Sequence, residues 1–211
     1  MYEAKHFAED RIDVQHALIR QHPLGLLICN GADGRINANP VPFLLLPDRG
    51  ELGVLRAHVA RENPQWRQIH EADDCLVVFQ GPEAYVSPNW YPSKQGHGRV
   101  VPTWNYVTVH VRGVPSVSEN AQWLHEQVER MTDQQEATQS SPWEVTDAPQ
   151  NYTRALLKAI VGIEIRITEI QGKWKLSQNR KTQDIVGVHE GLTGEGHTAL
   201  ADQVADHIHR S

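Results

Sequence analysis

The chain has 211 residues, of which 39% are apolar and 22% charged, and it carries a formal net charge of −6. That length and balance suit one α+β domain with a packed core and exclude a disordered chain. The acidic balance argues against strong autonomous DNA binding, which draws much of its affinity from neutralising phosphates with clustered Lys and Arg.

The N-terminal stretch lacks the basic start, apolar middle and small-residue exit of a signal peptide, so a cytoplasmic protein is expected. The longest apolar runs, PLGLLIC at 23–29 and PVPFLLL at 40–46, are too short to cross a bilayer. Residues 10–22 place Val14, Ala17 and Leu18 at helical spacing behind Asp10, and Pro23 ends that helix. Strands are predicted at 24–29, 40–46, 52–59, 75–80, 83–87 and 100–112, separated by the turn signals NGADG, PDRG and QGP. Cys29 and Cys75 each sit in one of these apolar runs and read as reduced core thiols. The meander-like order with few early helices predicts an antiparallel barrel rather than a doubly wound sheet.

Helices return after Ser118. Leu124, Val128 and Met131 form one stripe, and Tyr152, Leu156 and Ala159 another. Residues 132–149, rich in Gln, Ser, Thr and Pro, read as a long surface loop. In 160–170 Val161, Ile163, Ile165 and Ile167 alternate with Gly162, Glu164, Arg166 and Thr168, the period of a strand with one buried face. The chain after 180 reads as helical, with Leu200, Val204 and Ile208 at i, i+4 and i+8, and His207 and His209 fall in a fraying tail. No interdomain linker stands out: residues 1–192 are expected as one domain, with 193–211 as its helical extension.

Four stretches carry residues that a plain core does not need. In VVPTWNYVTVH, 100–110, a strand puts Thr103, Asn105 and the valines on one face and Trp104, Tyr106, Thr108 and His110 on the other. Amphipathic aromatics there suit a subunit interface or the wall of a cleft for a flat ring, and composition alone leaves both open. In LRAHVARENPQWRQI, 55–69, His58, Arg61 and Asn63 lead into Pro64 at a predicted helix start, a place for a phosphate or an ordinary strand-to-helix connection. In YVSPNWYPSK, 85–94, two prolines fix a loop that holds Ser87, Trp90, Tyr91 and Lys94. In GKWKLSQNR, 172–180, extended geometry aligns Lys173, Lys175 and Ser177, with Arg180 beyond, which suits an anion or a solvated edge strand. There is no HExxH, no zinc spacing among the His and Cys residues, no GxSxG, no Walker loop and no GxGxxG after a strand. A hydrolase with its own nucleophile is therefore disfavoured.

MYEAKHF at the start, AHVARENPQW at 57–66, VVFQGPEAYVSPNWYPSK at 77–94, VPTWNYVTVHVRG at 101–113, AIVGIEIRI at 159–167 and GKWKLSQNR at 172–180 together resemble the PaiB-type FMN-binding negative transcriptional regulators. The resemblance implies a mainly β, α+β fold: the FMN-binding split barrel of pyridoxamine-phosphate-oxidase-like proteins, with peripheral helices. It implies FMN as cofactor and a homodimer with the flavin cleft between subunits. His58, Arg61 and Asn63 then fall where the fold holds the phosphate, with Lys173, Lys175 and Arg180 completing that site or coming from the partner. Ser87, Trp90, Tyr91 and Lys94, with Thr103, Trp104, Asn105 and Tyr106, would line the ring cleft. Three functions stay open: a flavin-binding negative regulator acting on transcription directly or indirectly, a flavin-dependent or haem-handling oxidoreductase, and a cofactor-free dimeric interaction module. DNA is a candidate partner, although the acidic balance argues against direct contact, and no membrane is expected.

Overall fold

A computed structural model describes residues 1–31 and 34–208. In chain order the elements are β1 (Ala8–Glu9), α1 (Ile12–Gln21), β2 (Leu24–Asn30), β3 (Ile36–Pro42), β4 (Leu44–Leu46), β5 (Val54–Ala60), α2 (Gln65–His70), β6 (Cys75–Val86), α3 (Ser93–His97), β7 (Thr103–Ser118), α4 (Ala121–Glu136), α5 (Gln150–Lys158), β8 (Ile160–Lys175), α6 (Thr182–Gly194) and α7 (Thr198–Ala205). The strands pair in the order β3-β2-β6-β7-β8-β5-β4, with β1 on β8, and every pairing with a recorded register is antiparallel. The path has two ends, β3 and β4, so among the described residues the ladder stays open, a split barrel rather than a closed one.

The chain clusters into two compact units, and the three longest strands run through both. The first comprises Met1–Gln15, Gln80–Val109 and the chain from Gln171 onward; the second comprises His16–Phe79 and His110–Ile170.

In the second unit the period-two pattern does what apolar burial demands. Leu27, Leu55, Val77, Phe79, Val111, Ile163 and Ile165 are fully buried, and Phe43 meets Phe79 edge to face at 5.7 Å. The backbone comes so close there that a Cβ on Gly25 would lie 2.7 Å from Phe79 and Val77. On the outer face of β5, α4 lays Trp123 across Gly162, where a Cβ would sit 2.1 Å from the ring. Arg56, 5% exposed, stacks under the same indole at 4.7 Å and donates from Nε to Glu164 at 2.7 Å.

In the first unit, Val86, Val107, Val109, Leu176, Ile185, Val188, Leu192 and Val204 form the core, and α6 and α7 pack on one another. The Pro88–Trp90 turn lies on α6. A Cβ on Gly187 would meet the Trp90 carbonyl at 1.9 Å, and one on Gly191 the Trp90 ring at 2.2 Å.

Three expectations are corrected. QGP does not end a strand: β6 runs unbroken from Cys75 to Val86, and its buried positions shift from odd numbers (75, 77, 79) to even ones (84, 86) across it. The strand thus changes its buried parity across the segment that holds Pro82. The predicted loop at 132–149 is shorter, because α4 continues to Glu136 and Val145–Asp147 forms a 3-10 turn. The strand beginning at Ile160 extends to Lys175, so Lys173 pairs with Ala8 of β1 instead of lying on an edge. Cys29 and Cys75 are buried and unbridged as expected, and burial pushes the Cys75 thiol up to about 12. His209 lies outside the described residues. No helix among them is long and apolar enough to cross a membrane.

Candidate functional site

The predicted site residues fall into both units. In the second, His58 stands on β5 opposite Gly162, with its Nδ1 buried and without a hydrogen-bond partner. Burial lowers its pKa, because a low-dielectric setting penalises the imidazolium. Arg61 follows β5 and bonds to its neighbours through all three of its side-chain nitrogens, while staying partly exposed. Its Nε donates to the Lys158 carbonyl at 2.9 Å, Nη2 to the Ile160 carbonyl at 3.2 Å, and Nη1 pairs with Glu119. Asn63 holds the turn into α2, its Oδ1 accepting from the Gln65 backbone N–H at 2.9 Å, and Trp66 Nε1 donates to the Arg61 carbonyl at 2.9 Å. The turn is bonded chiefly to itself and to the start of β8.

In the first unit the two faces of β7 separate as their alternation requires. Asn105 points inward, fully buried, and donates from Nδ2 to Ser177 Oγ at 3.0 Å. Ser177 holds a positive φ of 66°, a left-handed conformation uncommon outside glycine, at the turn that follows β8. On the outer face Trp104 is 53% exposed and meets Tyr85 edge to face at 6.1 Å. Tyr106 lies beside it under two ammonium groups, Lys173 Nζ at 5.3 Å and Lys175 Nζ at 5.9 Å from the ring centroid. Lys173, only 9% exposed, also donates to the Tyr2 carbonyl at 3.1 Å and sits 5.7 Å from the Tyr2 ring. Lys175 donates to Thr103 Oγ1 and to the Trp104 carbonyl, the latter at 2.6 Å. Burial lowers the pKa of Lys175 first, and the charges of Lys173 and Arg180 lower it further. Among the described residues neither lysine has a carboxylate at ion-pair distance.

The prolines of 85–94 do fix a loop, and its side chains point to several tasks. Ser87 Oγ caps the Pro88–Trp90 turn by accepting from Asn89 N at 3.2 Å. Trp90 covers the α6 glycines, while Lys94 donates to Asn89 Oδ1 at 2.6 Å. Tyr91 is 2% exposed beneath the Arg180 guanidinium, which lies 5.2 Å from its ring centroid. The open face of the first unit therefore gathers Trp104, Tyr106, Thr103, Lys173 and Lys175. Tyr2 and Tyr85 belong to it as well. Sequence reasoning passed over both, although Tyr85 sits on the exposed parity of β6 and a cross-strand neighbour for Trp104 was a legible possibility.

The arrangement suits a planar ring that carries negative charge: aromatic faces for stacking, and two ammonium groups with no internal counterion beside them. The family described as "Putative FMN-binding domain" matches residues 1–169. A protein of Emericella nidulans is 37% identical, the match covering 93% of this chain and 92% of that one. The Bacillus subtilis protease synthase and sporulation protein PAI 2 is 32% identical, over 92% of this chain and 90% of its own. Among solved structures, the fold is similar to the flavocytochrome Anf3 of Azotobacter vinelandii, with a TM-score of 0.57 and 13% identity over 80% of this chain and 69% of that one. It is also similar to the FAD and heme binding protein of Mycobacterium smegmatis, with a TM-score of 0.58 and 16% identity over 80% and 73% of the two chains. The sequence match runs over most of the chain and the strand order agrees with it: the chain belongs to the PaiB-type FMN-binding family, with a split-barrel fold and FMN as its cofactor.

Proposed function

We propose that the chain is a homodimeric flavoprotein that lowers transcription indirectly, and that it holds FMN on the outer face of β7 in the first unit. The observation that carries the placement is the pair of ammonium groups on one ring, Lys173 Nζ at 5.3 Å and Lys175 Nζ at 5.9 Å from the Tyr106 centroid, with no carboxylate at ion-pair distance among the described residues, in a chain of net charge −6. Burial, and then the charges of Lys173 and Arg180, lower the pKa of Lys175. Positive charges kept together against their own repulsion are stabilised by an anionic ligand. Trp104 and Tyr106 offer the stacking surface for the flavin ring, and Lys173 and Lys175 would oppose its negative charge. FMN supplies redox and light-absorbing chemistry when bound; the side chains bind it, orient it and exclude water from one of its faces. The exposed Tyr2, Tyr85 and Trp104 form an aromatic patch of the kind that a ligand or second subunit covers.

The test is a visible spectrum of the purified chain followed by titration with FMN. A flavin band and a saturable site are expected, with affinity falling about tenfold in Lys175→Met and in Trp104→Ala, roughly 1.4 kcal/mol each. Flavin uptake that neither substitution alters would remove the placement. Mobility shifts with promoter DNA should show no binding at physiological salt, as the net charge requires. Steady oxidation of a reduced nicotinamide by the holoprotein, with no effect on transcription, would replace the regulatory reading by an oxidoreductase. Sedimentation that gives a monomer would remove the dimer.

A further inference from the structure

A second group of cations in the first unit lines a pocket whose walls include none of Trp104, Tyr106, Lys173 and Lys175, although one of its members, Arg180, also acts on Lys175 by its charge. The pocket has a volume of about 400 Å³ and lies between the C-terminal end of α3, with His97 and Arg99, and the turn Asn179–Lys181 that leads into α6. Arg99, Arg180 and Lys181 line it, and none has a carboxylate at ion-pair distance among the described residues. One carboxylate lies in the lining, Asp184, and it is already engaged. It is 5% exposed, and its oxygens accept from Ser93 N at 3.0 Å and Ser93 Oγ at 2.8 Å, a bond pair that ties α6 to α3. Its charge therefore serves the fold and leaves the pocket with an excess of two positive charges, three cations against one anion.

One of the cations, Arg180, is held by its side chain, and two, Arg99 and Arg180, by their backbone. Arg180 rests over Tyr91, whose hydroxyl is buried near Ser177 and Arg180 without a well-formed hydrogen bond. The Arg180 N–H donates to the Ser177 carbonyl at 2.9 Å, and the Arg99 N–H donates to His97 Nδ1 at 3.0 Å, so both backbones are held at the pocket rim. Two guanidinium forks and an ammonium suit the charge of a phosphate group, which accepts paired N–H donors, and the one lining carboxylate, Asp184, is taken up by Ser93; the cavity has room for the rest of an organic phosphate. The sequence alone raised Arg180; Arg99 and Lys181 are far apart in the chain, and only the turn after β8 brings them to one cavity.

We propose that this pocket binds the phosphate group of an organic phosphate. The group has two possible carriers, FMN itself through its 5′-phosphate or a separate phosphorylated small molecule, and the binding claim stands without the flavin placement. The test uses the full chain freed of flavin, titrated calorimetrically with inorganic pyrophosphate. One site per chain is expected, weakened at least tenfold in the double variant Arg99→Ala/Lys181→Ala. Both side chains are exposed, so the variant should melt with the wild type, and a melting curve checks that. Absence of pyrophosphate binding, or equal affinity in a folded variant, overturns the proposal. Riboflavin and FMN then distinguish the carriers. If FMN places its phosphate here, FMN binds more tightly than riboflavin and the double variant erases that preference while riboflavin affinity holds. If another phosphoester belongs here, the variant leaves both flavins unchanged and pyrophosphate still binds flavin-saturated protein. A chain that binds neither flavin and still binds pyrophosphate through these residues would end the flavin placement and keep the pocket.

Discussion

The ion pairs of the second unit and the crowded cations of the first are held in different ways, although the first unit also has a paired cation, Arg11 with Glu9. In the second, Arg56 meets Glu164 at 2.7 Å and Glu126 at 3.7 Å, Arg112 meets Asp74 at 3.0 Å, and Arg61 meets Glu119 and two carbonyls. In the first, Lys173 and Lys175 share the surroundings of one tyrosine, and Arg99, Arg180 and Lys181 line one cavity, all without a carboxylate partner among the described residues. A cation matched by a built-in anion is part of the fold, and its removal shows as lost stability. A cation left unmatched beside others of its sign costs stability, and its presence is explained by what it binds. The same residue types thus serve the fold where they are paired and offer a ligand surface where they are not. Of the residues that local pattern offers as a phosphate site, Arg61 and Asn63 are hydrogen-bonded within their own unit, whereas His58 keeps a buried Nδ1 without a partner.

The sharpest way to break this contrast is to remove one charge from each side. Glu164→Gln leaves the Arg56 guanidinium buried and short of its nearest anion, at an expected cost of about 3 kcal/mol, read by urea unfolding. A cost below about 1 kcal/mol would mean that the pair is no more than an ordinary surface bridge. Gly162→Ala sharpens the same side by packing alone. Its Cβ would press on the Trp123 ring that covers Arg56, for roughly 2 kcal/mol. Lys175→Met is the counterpart in the first unit. Stability should hold or rise slightly, since a charge crowded by Lys173 and Arg180 is gone, while FMN affinity falls about tenfold. Lost stability with retained affinity would reverse the assignment of that lysine. FMN affinity should also fall as pH rises through the lowered pKa of Lys175, because the anion favours the ammonium form, and Lys175→Met should lose that dependence.

How much of this was legible in the sequence depends on whether a residue answers to a local rule. The valines of β7 and the isoleucines of β8 announce their strands and buried faces by period alone, and the structure keeps both. The outward placement of Trp104 and Tyr106 against inward Asn105 follows from the same alternation. Lys173 does not. A lysine at 9% exposure breaks hydropathy patterning, and it is tolerated because Tyr2, Tyr106 and a carbonyl from the N-terminal segment surround its ammonium group. The contacts with Tyr2 join residues 171 positions apart, which no short window reveals. QGP misled for a related reason: its turn propensity is real, and the neighbouring strands on β6 overrode it, leaving a shift of parity as the only trace. Arg61 carried the right chemistry for a phosphate, and its pairing with Glu119, 58 positions away, was invisible until the chain folded.

The smallest effect tests the scaffold reading of the β5 turn through His58. Its Nδ1 is buried without a partner and its pKa is lowered by burial, so the folded chain favours neutral imidazole. Between that lowered value and the ordinary 6.5 the unfolded chain binds more protons than the folded one, and stability therefore falls as pH drops through the window. Above 6.5 the penalty is absent, and below the folded pKa it is complete. One proton sets a ceiling of about 1.4 kcal/mol per pH unit on the slope. Melting measured between pH 7 and pH 5 should show a steeper decline in the wild type than in His58→Gln, which cannot take up that proton. If His58 instead served an anion in its own unit, a bound phosphate would stabilise the imidazolium, and added inorganic phosphate would flatten the wild-type decline. On the scaffold reading phosphate leaves the decline unchanged, because Arg61 beside it is held by Glu119, Lys158 and Ile160.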